Sequence, residues 1–129
     1  MIEEISQISK HIEAEHGEFS PPKFYENTVT WPMCDRNGIY FSKGSDSTGK
    51  LQEYCHEVWH WIHKDYEHSN SMTYPIDARG RYKFGINPDW DYMEGRATAK
   101  SRKLMEKFGL PNNITEEYTK AEEYYNSKL

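Results

Sequence analysis

The chain has no apolar run approaching the roughly 20 residues that span a bilayer, and its mean hydropathy is −1.01. Its first residues also lack the charged start and apolar middle of a signal peptide. A soluble cytoplasmic protein that does not act at a membrane is expected. Cysteine is scarce: Cys34 and Cys55 are the only two, they sit in unlike contexts, and two buried free thiols in a reducing compartment are expected rather than a disulfide. Dense basic blocks are missing. Sixteen Lys and Arg stand against 21 Asp and Glu, a net charge of −5, which argues against direct nucleic-acid binding and favours a basic protein partner. Repeats, low-complexity tracts and linkers are also absent, so residues 1–129 read as a single domain. What the chain has instead is aromatic area, with ten Tyr and four Trp among its 129 residues. That is enough to build a folded core.

The organising stretch is 51–68, Leu51 to His68. At 100° per residue, Leu51, Tyr54, Cys55, Val58, Trp61 and Ile62 fall on one apolar stripe, which predicts a helix buried on that side. Trp59 is placed at the edge of the core. His56, His60, His63 and Glu67 form a second stripe more than a quarter-turn away, and that stripe is expected to face solvent or a partner.

Around this helix the chain reads as an α+β fold, a small antiparallel sheet with helices packed on it. Ile2, Ile5, Ile8 and Ile12 predict an amphipathic helix ending before Gly17. Val29, Trp31 and Met33 alternate as in a strand, which Pro32 marks as an edge. Asp35-Arg36-Asn37-Gly38 is a hairpin turn leading into Ile39-Tyr40-Phe41. Residues 43–49 are a loop whose Ser45, Ser47 or Thr48 is expected to cap the organising helix, and Ser69-Asn70-Ser71 is expected to end it. Tyr82, Phe84 and Ile86 alternate as a third strand. Asn87 caps, and Pro88 opens, a long helix with Trp90, Met93, Ala97, Leu104 and Phe108 inward. Arg96, Lys100, Arg102, Lys103 and Lys107 form its solvated basic flank. Gly109 and Pro111 stop it. Thr115, Glu116 and Glu117 open a last helix with Tyr118, Ala121, Tyr125 and Leu129 on one face.

His56-Glu57-Val58-Trp59-His60 has the letters of the zinc-peptidase pattern H-E-x-x-H. Two imidazoles one helical turn apart grip a metal, and the glutamate between them acts as base toward a bound water. A third ligand is required, and His63, His68, Asp89, Asp91 and Glu94 all qualify by type. Near the helix end, Asp65 is an anion where the helix dipole disfavours one, so it should pair with Arg79, Arg81 or Arg96.

Glu57-Val58-Trp59-His60-Trp61-Ile62-His63-Lys64-Asp65 also resembles the helix of the immunity protein 63 family, which has a pattern of the type E-L-L-Y-W-I-F-K-D. The matching letters are Glu57, Trp61, Ile62, Lys64 and Asp65. The isoleucine-rich opening helix, the hairpin into Gly38-Ile39-Tyr40-Phe41 and the acidic start of the helix at Asp89-Trp90-Asp91-Tyr92-Met93-Glu94-Gly95-Arg96 are similar too. The segment from Tyr74 to Pro88 departs most. The resemblance implies a bacterial immunity protein of a polymorphic or contact-dependent toxin system, which neutralises a cognate toxin domain by occlusion, without catalysis, cofactor or metal. Candidate toxin contacts are His60, His63, Glu67, Glu116, Glu117, Glu122 and Glu123, the last four able to steer a basic toxin. The alternative from another class is a small zinc metallopeptidase using His56, His60 and Glu57. A generic adaptor domain is a third possibility.

Overall fold

A computed structural model describes residues 2–70 and 73–129. The elements run α1 (Ile2–His16), β1 (Lys23–Val29), β2 (Met33–Asp35), β3 (Gly38–Ser42), α2 (Ser47–His63), a 3-10 helix (Asp65–Asn70), α3 (Pro88–Lys107) and α4 (Glu116–Ser127). Ser71, expected to help end the organising helix, lies outside the described residues, as does the side chain of Ile2. Among the described residues no helix is long and apolar enough to cross a membrane.

The α+β class holds, but the sheet is mixed rather than antiparallel. Its strand order is β1-β3-β2, with β1 parallel and β2 antiparallel to β3. The hairpin from Asp35 to Gly38 forms as expected, and the Asp35 carboxylate accepts from Asn37 N at 2.8 Å. Gly38 also sets the parallel pairing: it has φ +147°, and a Cβ there would lie 2.2 Å from the Lys23 carbonyl oxygen on β1. The expected strand at Thr28 to Met33 is displaced. Pairing spans Lys23–Val29, the chain then bends, and Trp31 is exposed with the Arg81 guanidinium 4.8 Å from its ring centroid.

The third strand does not form. Only an isolated bridge joins Ile76 and Tyr82, because nearby carboxylates take the backbone donors a ladder would need. Asp77 accepts from Arg79 N and Arg81 N, Glu117 from Phe84 N, and Asp91 from Gly85 N. Ile86 is left exposed.

The cap of α2 is Asp46 rather than Ser45, Ser47 or Thr48, and its carboxylate accepts from Gly49 N at 2.8 Å. The helix stops earlier than the periodicity predicts: Lys64 turns left-handed at φ 56°, and Asp65 opens the 3-10 helix. The core gathers Ile5, Ile8 and Ile12 of α1, Ile39 and Phe41 of β3, Tyr54, Cys55, Val58 and Trp59 of α2, and Ala97, Leu104 and Met105 of α3. Both thiols are free; Cys55 is buried and Cys34 half-buried. On α4, Ala121 is buried and Thr115 stands at the cap position without a side-chain cap bond, while Leu129, expected on the same face, lies past the end of the helix and is exposed.

Candidate metal centre

Helix α2 is buried on two sides. Tyr54, Cys55 and Val58 join the core shared with α1 and the sheet, while Glu57 and His60 are buried as well. Within the histidine stripe, His60 does not face solvent and His56 and His63 do so only in part, because α3 packs against α2 and presents Glu94 to it. His60 is 8% exposed and Glu94 3%. His63 is half-buried, with its Nε2 2.9 Å from Lys100 Nζ, and Glu67 is exposed.

Three polar atoms converge. His60 Nε2 lies 2.6 Å from Glu94 Oε1, His56 Nε2 lies 3.1 Å from the same oxygen, and the two Nε2 atoms are 3.2 Å apart. Ligands about 2.0 Å from a tetrahedral zinc are separated by edges of about 3.3 Å. Two of the three sides come close to that value and the third is shorter. The donor set, two imidazole nitrogens and one carboxylate oxygen, is one that zinc takes when one coordination position is left to water. Of the five residues eligible by type as third ligand, the fold brings Glu94 to the two histidines.

The supports around this triangle are those a metal site needs. His60 Nδ1 is 2.8 Å from Asp65 Oδ2, which fixes the ring so that Nε2 points at Glu94. Asp65 in turn accepts from Arg96 Nη2 at 2.6 Å, so Arg96 is the cation that its position demanded. The Tyr74 hydroxyl donates to Glu94 Oε2, leaving Oε1 to the histidines. A carboxylate oxygen of Glu57 and ring nitrogens of His56 and His60 all lie within 4.8 Å of one another. Without a metal the charges balance through protons. Burial opposes a charge on His60, but Glu94, helped by the hydrogen bond to Asp65, outweighs it and raises the imidazole pKa well above 6.5. Burial likewise opposes ionisation of Glu94, and the two histidines outweigh it and lower that carboxyl. Glu57 is different: burial dominates, and its pKa is raised despite both histidines.

A cavity of about 210 Å³ opens beside His56 and Glu57, between α2, α3 and the start of α4. Tyr118 lines it. Burial, then the Glu94 and Glu57 charges, raise the Tyr118 phenol well above its usual range, which keeps a proton-bearing hydroxyl beside the site. Tyr74 and Tyr118 fall outside the sequence reading of the site. Tyr74 carried no periodic signal, and Tyr118 was legible only as a helix-face residue.

The other site residues are dispersed. Glu122 is paired with Arg102, Glu117 with Lys83, and Glu116 and Glu123 are exposed on α4. The basic flank is only partly solvated, since Arg96 and Arg102 are both in ion pairs and Lys100 lies 4.8 Å from the Trp59 ring centroid. Of the letters shared with the immunity helix, Glu57 and Asp65 are buried, Trp61 Nε1 donates to the Ser20 carbonyl, Ile62 packs on the core, and Lys64 forms the left-handed cap. No family model, curated protein or solved structure matches the chain.

Proposed function

We propose that this protein is a small metal-dependent hydrolase acting on an amide or ester bond, with His56, His60 and Glu94 as the residues that hold zinc. The observation that supports this most is the convergence of His56 Nε2, His60 Nε2 and Glu94 Oε1, with every pair within 3.2 Å. One cation held by these three atoms, which two different helices bring together, would replace the hydrogen bonds and ion pairs they make without it. Zinc bound there would supply Lewis acidity and an acidified water.

The chain's own residues supply the rest. Glu57, whose raised pKa brings it nearer the working range of a general base, accepts the proton of the attacking water and returns it to the leaving group. Tyr118 offers a hydroxyl donor to the oxygen that gains negative charge. Asp65 and Tyr74 are positioning residues, acting through His60 and Glu94. Release of a fluorophore from mixed peptide amides by zinc-loaded protein tests the reading, with Glu57→Gln as the comparison. Turnover by wild type and a fall of about 10²-fold or more in a folded, zinc-retaining variant is the expected result. Equal rates in both would contradict it.

A second reading, neutralisation of a cognate toxin domain by binding in the cytoplasm, is favoured by the immunity-helix letters from Glu57 to Asp65 and by the exposed acids Glu67, Glu116 and Glu123. It predicts that wild type and Glu57→Gln protect growth equally when co-expressed with the cognate toxin domain. Protection lost with Glu57→Gln, in a folded variant, would count against it.

A further inference from the structure

We infer that the cavity beside His56 and Glu57 is a specificity pocket that takes one uncharged side chain, of leucine to phenylalanine size, next to the bond under attack. The inference rests on the hydrolytic reading and adds its substrate class.

Size is the first argument. At about 210 Å³ the cavity is below the roughly 300–1,000 Å³ of pockets that enclose whole small-molecule ligands. It therefore suits one substituent of a longer substrate, whose remainder stays outside.

Charge is the second. The lining contains the carboxylates of Glu53 and Glu57 and, apart from His56, no basic side chain, so an acidic side chain would enter against like charge. Apolar contact comes from Met105, Ile114 and Pro32, and the flexible thioether of Met105 adapts to aliphatic or aromatic shapes.

Unspent hydrogen bonding is the third. Glu53 accepts from Ser42 N and Oγ at 2.8 and 2.7 Å, Gln52 Nε2 donates to the Pro111 carbonyl at 2.5 Å, and Ser101 Oγ donates to the Thr98 carbonyl at 3.0 Å. The Thr98 hydroxyl differs. Thr98 is 1% exposed, lines the cavity, and its Oγ1 has no partner. A buried hydroxyl without a partner is unfavourable, and since Oγ1 is closed to solvent, a ligand group would satisfy it only once the Thr98 side chain turns toward the cavity.

Methyl NMR on the full chain tests this, reading Met105, Ile114 and Thr98 during titration with the N-acetyl amides of leucine, phenylalanine, glycine and aspartate. The titrations are run metal-free and with zinc. The leucine and phenylalanine compounds should shift these three methyls and bind at least about tenfold more tightly than the other two. Ile114→Trp, at a half-buried loop position, should abolish the Met105 and Thr98 shifts and leave zinc binding unchanged. Equal responses to all four compounds, or none, would overturn the pocket even where zinc binds. Selective shifts in a protein that fails to bind zinc would support the pocket and overturn the hydrolytic reading.

Discussion

Glu94 Oε1 and His60 Nε2 are 2.6 Å apart although 34 positions separate the two residues. That contact joins the first helix of the site to the second. Glu94→Ala should remove a ligand, so zinc affinity measured by chelator competition should fall by more than the roughly 10- to 100-fold expected for losing an outer supporting residue. Unchanged affinity would place the metal elsewhere.

The contact also shows what was legible beforehand. The spacing of His56, Glu57 and His60 was readable as a metal motif, and Asn87, Pro88 and the inward face of α3 were readable as a helix. The packing of the polar face of one on the other has no counterpart in the sequence pattern. Angular periodicity separates a polar stripe from an apolar one, but it cannot distinguish solvent from a buried carboxylate on a distant helix. The strand expected at Tyr82 failed for a related reason: Asp77, Asp91 and Glu117 bond to its backbone, and alternation does not record such bonds. The parallel pairing of β1 with β3 left no local signal beyond Gly38.

Asp65 supports His60 from behind while pairing with Arg96. Asp65→Asn should weaken zinc about 10- to 100-fold. It should also destabilise the metal-free protein by about 3 kcal/mol, near the lower end for a broken buried pair, because the Arg96 side chain is already 20% exposed. Urea unfolding without metal separates the two effects, and a variant as stable as wild type would contradict the second.

Zinc binding should release protons. The His60 pKa is raised above 6.5 in the metal-free site, where Glu94 and Asp65 outweigh burial, so its proton must leave before Nε2 can bind a metal. Affinity should fall as pH is lowered, by about tenfold per unit for one displaced proton. Calorimetry in buffers of different ionisation enthalpy reads the release directly, and identical heats in both buffers would argue against it.

His63 should act in the opposite sense to His60. Burial, then Arg96 and Lys100, lower its pKa from 6.5 to about 4. The unfolded chain therefore takes up a proton at this position before the folded chain does. Its contribution to stability is constant above pH 6.5 and declines as pH falls from there to about 4. His63→Gln should show a smaller stability loss across that window than wild type. Parallel curves would contradict the shift.

Gly95 sets the distance between α3 and α4. A Cβ there would lie 2.0 Å from the Ala121 carbonyl oxygen, which is backbone and cannot swing aside. Gly95→Ala should lower the melting temperature through a strain of about 1–3 kcal/mol, despite the better helix propensity of alanine. It should also disturb Tyr118, which α4 carries to the cavity. A gain in stability would show that α4 sits farther away.

The most direct test of the account is the zinc content of purified protein after metal loading and desalting, for wild type and for His56→Ala, His60→Ala and Glu94→Ala. The account predicts close to one zinc per wild-type chain and a large loss in each folded variant. Wild-type protein that is folded and carries no zinc, or variants that retain it in full, would contradict it.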